Sequence, residues 1–314
     1  MSATVPSDLA PLVALERNGL NESFHHGIAV LVSADGSVLA EHGNGKALIY
    51  PRSSLKPLQA LTLYRLGLRL PSEQTVLTMA SHHSTQDHIT QVEHILEGAG
   101  VSQSALGCPP ALPWNPEMKA KVTTPASIYH NCSGKHAGFL ATCALMGWDL
   151  DSYLSPTHPL QLQIHALIEE LSGEKITKTA IDGCGAPLHA MSSIGLARGI
   201  SKFVLEAGDL VAAALRHPSL IGERSTPDAA FLRAGFYSKL GAEGVFTVGT
   251  PTGEAISIKI ADGSLRAAPA IALELLKRHG LASADQMAQI ESETKVEVPV
   301  SYTHLRAHET PEHL

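Results

Sequence analysis

Residues 27–43, GIAVLVSADGSVLAEHG, and the stretch that follows at 51–68, PRSSLKPLQALTLYRLGL, decide how this chain folds. The first alternates and branches like a strand, turns at Ala34-Asp35-Gly36, and resumes as a second strand, so it is expected to form a hairpin. The second changes period. Leu55, Leu58, Leu61 and Leu66 give one apolar side of a helix, and Ser53 or Ser54 stands where a cap belongs.

Working outward, the middle of the chain reads as helical. Ser84 to Asp87 signals a helix start ahead of Ile89, Val92, Ile95 and Leu96. Lys135 to Met146 is a small-residue helix closed by Gly147, and Pro159 opens another that runs to Gly173. Helices are also expected over 209–215 and 228–234. GVFTVGT (244–250) and EAISIKIA (254–261) then read as a strand pair around Pro251-Thr252-Gly253, and ALELLKRHG as a last amphipathic helix. Strands toward both ends with helices between them predict a single α+β domain over 1–300, with an antiparallel sheet and packed helices. Its sheet portion is expected from about 14–52 and 190–300, and its helical portion from about 53–189. Residues 301–314 stand apart: SYTHLRAHET matches the translation of a sequencing-library adapter, so a non-native tail is expected there.

Composition narrows the function. The 314 residues carry a net charge of -7, 44% hydrophobic and 17% charged residues. No Lys/Arg run could neutralise a row of phosphates, which argues against nucleic acid. No apolar stretch approaches the roughly 20 residues needed to span a bilayer, and the N-terminus lacks a leader pattern, so a cytoplasmic protein is expected with no membrane partner. Four cysteines at 108, 132, 143 and 184 are too few for a disulfide framework.

Ser53-Ser54-Leu55-Lys56 is an S-x-x-K sequence. Residues three apart at a helix head share a face, so a neutral lysine amine there could take the serine proton and release a nucleophile. The same spacing recurs at Ser172 to Lys175, at a helix end, where it has no such setting. Cys132 in N-C-S-G-K-H and Cys184 in D-G-C-G-A-P are either two buried thiols beside tight turns or, with a nearby nitrogen, a Zn²⁺ site. On the residues alone His136 is the better nitrogen, because a lysine must lose a proton to bind metal. Ala80-Ser81-His82-His83 is a small-residue loop carrying a hydroxyl and two imidazoles. Lys259 sits between Ile258 and Ile260 in an alternating strand, either on a solvated face or lining a pocket.

Together these segments resemble the rhizobial-type L-asparaginases, a family with a serine β-lactamase or penicillin-binding-protein-like fold. The match runs from about residue 15 to about 299. It includes E-S-x-H-x-G at 22–27, P-R-S-S-x-K-P-L-Q at 51–59, A-S-H at 80–82, N-C-S-G-K-H-A-G at 131–138, H-P-x-Q at 158–161, D-G-C-G-A-P at 182–187 and I-K-I-x-D-G at 258–263. After A-S-H this chain departs from the family, with His83-Ser84-Thr85 where a small residue and Gly-Glu are usual, and the family's C-terminal strand segment is replaced by the tail.

The resemblance implies hydrolysis of L-asparagine to L-aspartate and ammonia, with Ser53–Lys56 and Ser81–Lys259 as two Ser–Lys pairs. Asp182 is then an acidic partner orienting the lysines or the substrate. Cys132, Lys135 and Cys184 become the zinc ligands, displacing His136, with zinc aiding substrate binding more than hydrolysis. A homodimer is implied as well. Arg52, beside the turn, and His82, beside Ser81, are the candidate substrate contacts, Arg52 for the α-carboxylate. The rival readings are another serine acyl hydrolase of this fold, such as a glutaminase or D,D-peptidase, and a non-catalytic zinc- or amino-acid-binding relative.

Overall fold

The computed structural model describes residues 4–294 and the backbone of 303–307. The N-terminal portion lays down β1 (Ala10–Arg17), β2 (Leu20–Val32), β3 (Val38–His42) and the short β4 (Leu48–Ile49). Helices α1 (Lys56–Arg65), α2 (Ser72–Met79), α3 (Gln86–Gly98), α4 (Pro116–Lys121), α5 (Ser133–Met146) and α6 (Pro159–Ser172) follow. A hairpin of β5 (Thr179–Ile181) and β6 (Pro187–His189) precedes β7 (Met191–Ser192), α7 (Ser193–Glu206), α8 (Gly208–Arg216) and α9 (Pro227–Arg233). The chain then returns to the sheet with β8 (Tyr237–Gly241), β9 (Val245–Gly249) and β10 (Ala255–Ile260), and continues through α10 (Ala268–Arg278), α11 (Ala284–Thr294) and β11 (Thr303–Ala307).

The class is α+β. The main sheet is antiparallel, in the order β11-β1-β2-β10-β9-β8, with β3 also on β2. β2 is its seam: Ile28 opposes Lys259 and Val32 opposes Ala255. The unbroken apolar run of β2 follows from burial on both faces. Ile28, Val30 and Val32 pack into one core with α1, α2, α5 and α7, whereas Ala29 and Leu31 pack into a second with Phe246, Ile258 and α10. The predicted hairpin and the 245–260 strand pair lie where expected. Gly147 and Gly173 close α5 and α6 in the left-handed region, at φ 67° and 72°.

Three features depart from the sequence reading. The expected Ser cap is absent: Arg52–Leu55 form a 3-10 turn, and α1 begins only at Lys56. β8, unmarked by any alternation, forms one edge of the sheet. From the stretch read as a tail, Thr303–Ala307 pairs with β1, with Leu305 opposite Leu15, while residues 301–302 and 308–314 lie outside the described residues.

Candidate active site

The 51–56 segment, the α2–α3 loop and β8 meet at one edge of the sheet. Tight packing makes the meeting possible. A Cβ on Gly241, the last residue of β8, would stand 2.6 Å from the Pro51 carbonyl oxygen and 3.0 Å from Ser54 Oγ. Only glycine lets the strand end close on the turn. Ser54 Oγ and Thr247 Oγ1 both donate to the Lys239 carbonyl at 3.1 Å, which fixes the strand on that turn. Ser81 is held from behind: its N–H donates to the Ile221 carbonyl at 2.8 Å, and the next N–H, of His82, to Asn131.

At this junction Ser81 Oγ lies 3.1 Å from Lys56 Nζ and 3.1 Å from Lys239 Nζ. Lys56 also donates to the Ala80 carbonyl, and Lys239 to the Leu240 carbonyl at 2.8 Å. Both amines are buried, and Ser81 is nearly so. Lys239 faces Asp228 Oδ2 at 3.4 Å, with neither side chain exposed. Burial lowers the Lys239 amine to about 8; Asp228 opposes this and the charge of Lys56 adds to it. Ser53, 9% exposed, carries a hydroxyl with no hydrogen-bond partner among the described residues. The S-x-x-K lysine therefore bonds Ser81, and Ser53 is left open.

The expected pairing of Ser81 with Lys259 is corrected. Lys259 lies on the same sheet face as Lys239, but opposite Val245 and Ile28, whereas Lys239 lies opposite Thr247. Its amine donates to the Glu243 carbonyl instead. Lys239 was missed because YSKLG lacks the alternation that drew notice to IKI, although a Lys-x-Gly following an S-x-x-K helix is a signal of serine acyl-transfer sites.

Asp182 is corrected in the same way as a partner of the lysines. Its Oδ1 accepts from Arg52 Nε at 2.7 Å and from the Gly183 N–H at 2.9 Å, and Asp228 faces Lys239 in its place. Arg52 holds a left-handed backbone at φ 53°, a strained state for a side chain of this kind, and its Nη groups have no hydrogen-bond partner among the described residues. His82 is fully enclosed. Ser133 Oγ lies 2.9 Å from its Nε2 and the Ser84 N–H 3.2 Å from its Nδ1, so neither nitrogen is open to a substrate. Burial, then the charges of His88 and Lys56, hold this imidazole well below the usual range.

Beside the lysines lies a sulfur–nitrogen cluster. Lys135 Nζ, on the first turn of α5, donates to Cys184 Sγ at 3.0 Å. The hydrogen bond from Cys132 and the charge of Lys135 hold Cys184 far below the thiol range, while the same contact and burial push Cys132 far above it. His136 Nδ1 is taken by the Tyr153 hydroxyl at 2.6 Å, while its Nε2 is buried with no hydrogen-bond partner among the described residues. Among the described residues no group of three His, Cys, Asp or Glu converges, and the nitrogen bonded to a thiol here is that of Lys135. Two sulfurs and an amine within reach are donor types that suit a borderline-soft cation such as Zn²⁺.

A hydroxyl bridging two buried amines, with a second hydroxyl, that of Ser53, on the turn leading into Lys56, is equipment suited to acyl transfer. Comparison with curated proteins gives no match. The model of one family, L-asparaginase II, matches residues 13–306, which takes in the turn, the loop, both cysteines and β8, and on that match the chain belongs to the L-asparaginase II family.

Proposed function

We propose that this protein hydrolyses L-asparagine to L-aspartate and ammonia through an acyl-enzyme on Ser53. The observation that carries the reading is the chain Lys56–Ser81–Lys239, joined at 3.1 Å on either side of one hydroxyl. In such a chain a single missing proton can be shared. Neutral Lys239 accepts the Ser81 proton, Ser81 takes one from Lys56, and Lys56 is left as the free amine. That amine then removes the Ser53 proton as the serine oxygen attacks the side-chain amide carbon.

The oxyanion is held by backbone N–H groups of the 3-10 turn and of the strand end beyond Gly241. Lys56, now protonated, gives its proton to the departing nitrogen. Water then attacks the ester, Lys56 takes the water's proton, and aspartate leaves with Ser53 restored. Arg52, fixed by Asp182 at the rim, offers its Nη groups to the substrate α-carboxylate. This is the layout expected of a β-lactamase-like serine acyl hydrolase.

Cys132, Lys135 and Cys184 are the residues that would hold Zn²⁺, with Lys135 giving up its proton on binding. When bound, the ion would supply a fixed positive charge beside the pocket that favours the α-carboxylate of an amino-acid substrate. Substituting Ser53→Ala is the direct test. An ammonia-release assay with L-asparagine should fall at least about a thousandfold, on the scale of losing a nucleophile, and turnover surviving that substitution would refute the assignment.

A further inference from the structure

Behind the candidate active site, α1, α2 and α8 line a half-open pocket of about 250 Å³. Its walls are apolar at Leu63, Leu68 and Leu210, but its rim carries the guanidinium groups of Arg69 and Arg216 and the carboxylate of Asp209. Neither arginine has an ion-pair partner among the described residues. Arg69 Nη1 donates to the Tyr64 and Leu68 carbonyls with its guanidinium 3.6 Å over the Tyr64 ring, and Arg216 Nη1 donates to Ser72 Oγ, so both forks keep donors with no hydrogen-bond partner among the described residues. Asp209 accepts from the Tyr64 hydroxyl at 2.5 Å and, among the described residues, pairs with no cation.

We propose that this cavity is a second binding site, for a small amino dicarboxylate. The charges select the class. Two arginines and one carboxylate leave a surplus of one positive charge, which a ligand with two carboxylates and one ammonium neutralises group for group. The volume lies just below the roughly 300–1,000 Å³ of pockets for drug-sized molecules, so it suits a metabolite of a few carbons. The site also touches the catalytic frame. Ala60, one turn beyond Lys56, and Thr78, three residues before Ser81, both line it. Binding there is argued from charge and space alone; a role in sensing the product would rest on the proposed hydrolysis.

Titration calorimetry with L-aspartate tests the assignment on the whole chain. Arg216→Gln removes one fork, and Ala212→Phe fills the space from the rim while keeping every charge. Each should weaken one binding event at least tenfold while leaving kcat for L-asparagine unchanged, and Arg52→Gln at the candidate active site should leave that event intact. Succinate, which lacks the ammonium, and L-leucine, which lacks the second carboxylate, should each bind the unaltered protein at least tenfold more weakly than L-aspartate there. L-aspartate binding that is unchanged in both cavity variants, or lost only with Arg52→Gln, would overturn the proposal. The calorimetry reads the same way if the chain proves inactive toward asparagine, so the two ideas fail separately.

Discussion

Two lysines on one sheet face, Lys239 and Lys259, divide the legible from the hidden at the scale of single residues. Lys239→Met should lower kcat for L-asparagine by about 10²–10³-fold, the usual weight of a positioned proton carrier, whereas Lys259→Met should change it less than about tenfold. The pH dependence has a definite sign. With its amine lowered to about 8, Lys239 can accept the Ser81 proton only above that value, so kcat/KM should rise through about pH 8. The same shift acts on folding. Between about 8 and the ordinary 10.5 the unfolded chain binds the proton that native Lys239 has lost, so stability rises with pH across that window and is lower below it. Denaturation at pH 7 and 10 would show this rise, and Lys239→Met should flatten it. Ser53, Lys56 and Ser81 were legible because each sits in a short motif. Asp228 was not, since a buried acid answering a lysine on another element leaves no local trace.

Among elements, the contact of β8 with the 3-10 turn governs the site. Gly241→Ala puts a methyl group 2.6 Å from the Pro51 carbonyl, so strand and turn must part. The expected cost is about 1–3 kcal/mol in urea denaturation. Misplacement of the turn should cut kcat roughly a hundredfold, more than the stability loss alone would explain. An alanine variant with unaltered turnover would show that the contact is dispensable. The helix after Lys56 was legible from its leucines, but its 3-10 entrance was not. Ser53 and Ser54 look like caps in sequence, and only the approach of β8 shows Ser54 spent on the Lys239 carbonyl. β8 itself was hidden because both its faces are largely buried and the face where Tyr237 meets Met79 also carries the charged Lys239, which breaks the apolar alternation.

Across the whole molecule, the α+β class followed from strands at both ends of the sequence, and the two-faced core explains why β2 stood out as an apolar run. The connectivity depended on contacts far apart in sequence, which periodicity cannot register. The sulfur–nitrogen cluster gives a prediction at this scale, because it joins α5 to the β5–β6 hairpin. A ligand that binds only the native state stabilises it by mass action, about 2.7 kcal/mol at a hundredfold excess over Kd. Calorimetric melting should therefore shift upward by several degrees with added Zn²⁺, and Cys184→Ser should abolish the shift. The seam between β2 and β10 carries one more consequence. Ser53 and Lys56 leave the ribosome early, and Asp228 and Lys239 only after the whole helical stretch, so a partly synthesised chain holds a hydroxyl with no means of charging it. Under the proposed hydrolysis, turnover therefore requires the helical stretch and β8 to have been made and folded before Ser53 can be activated.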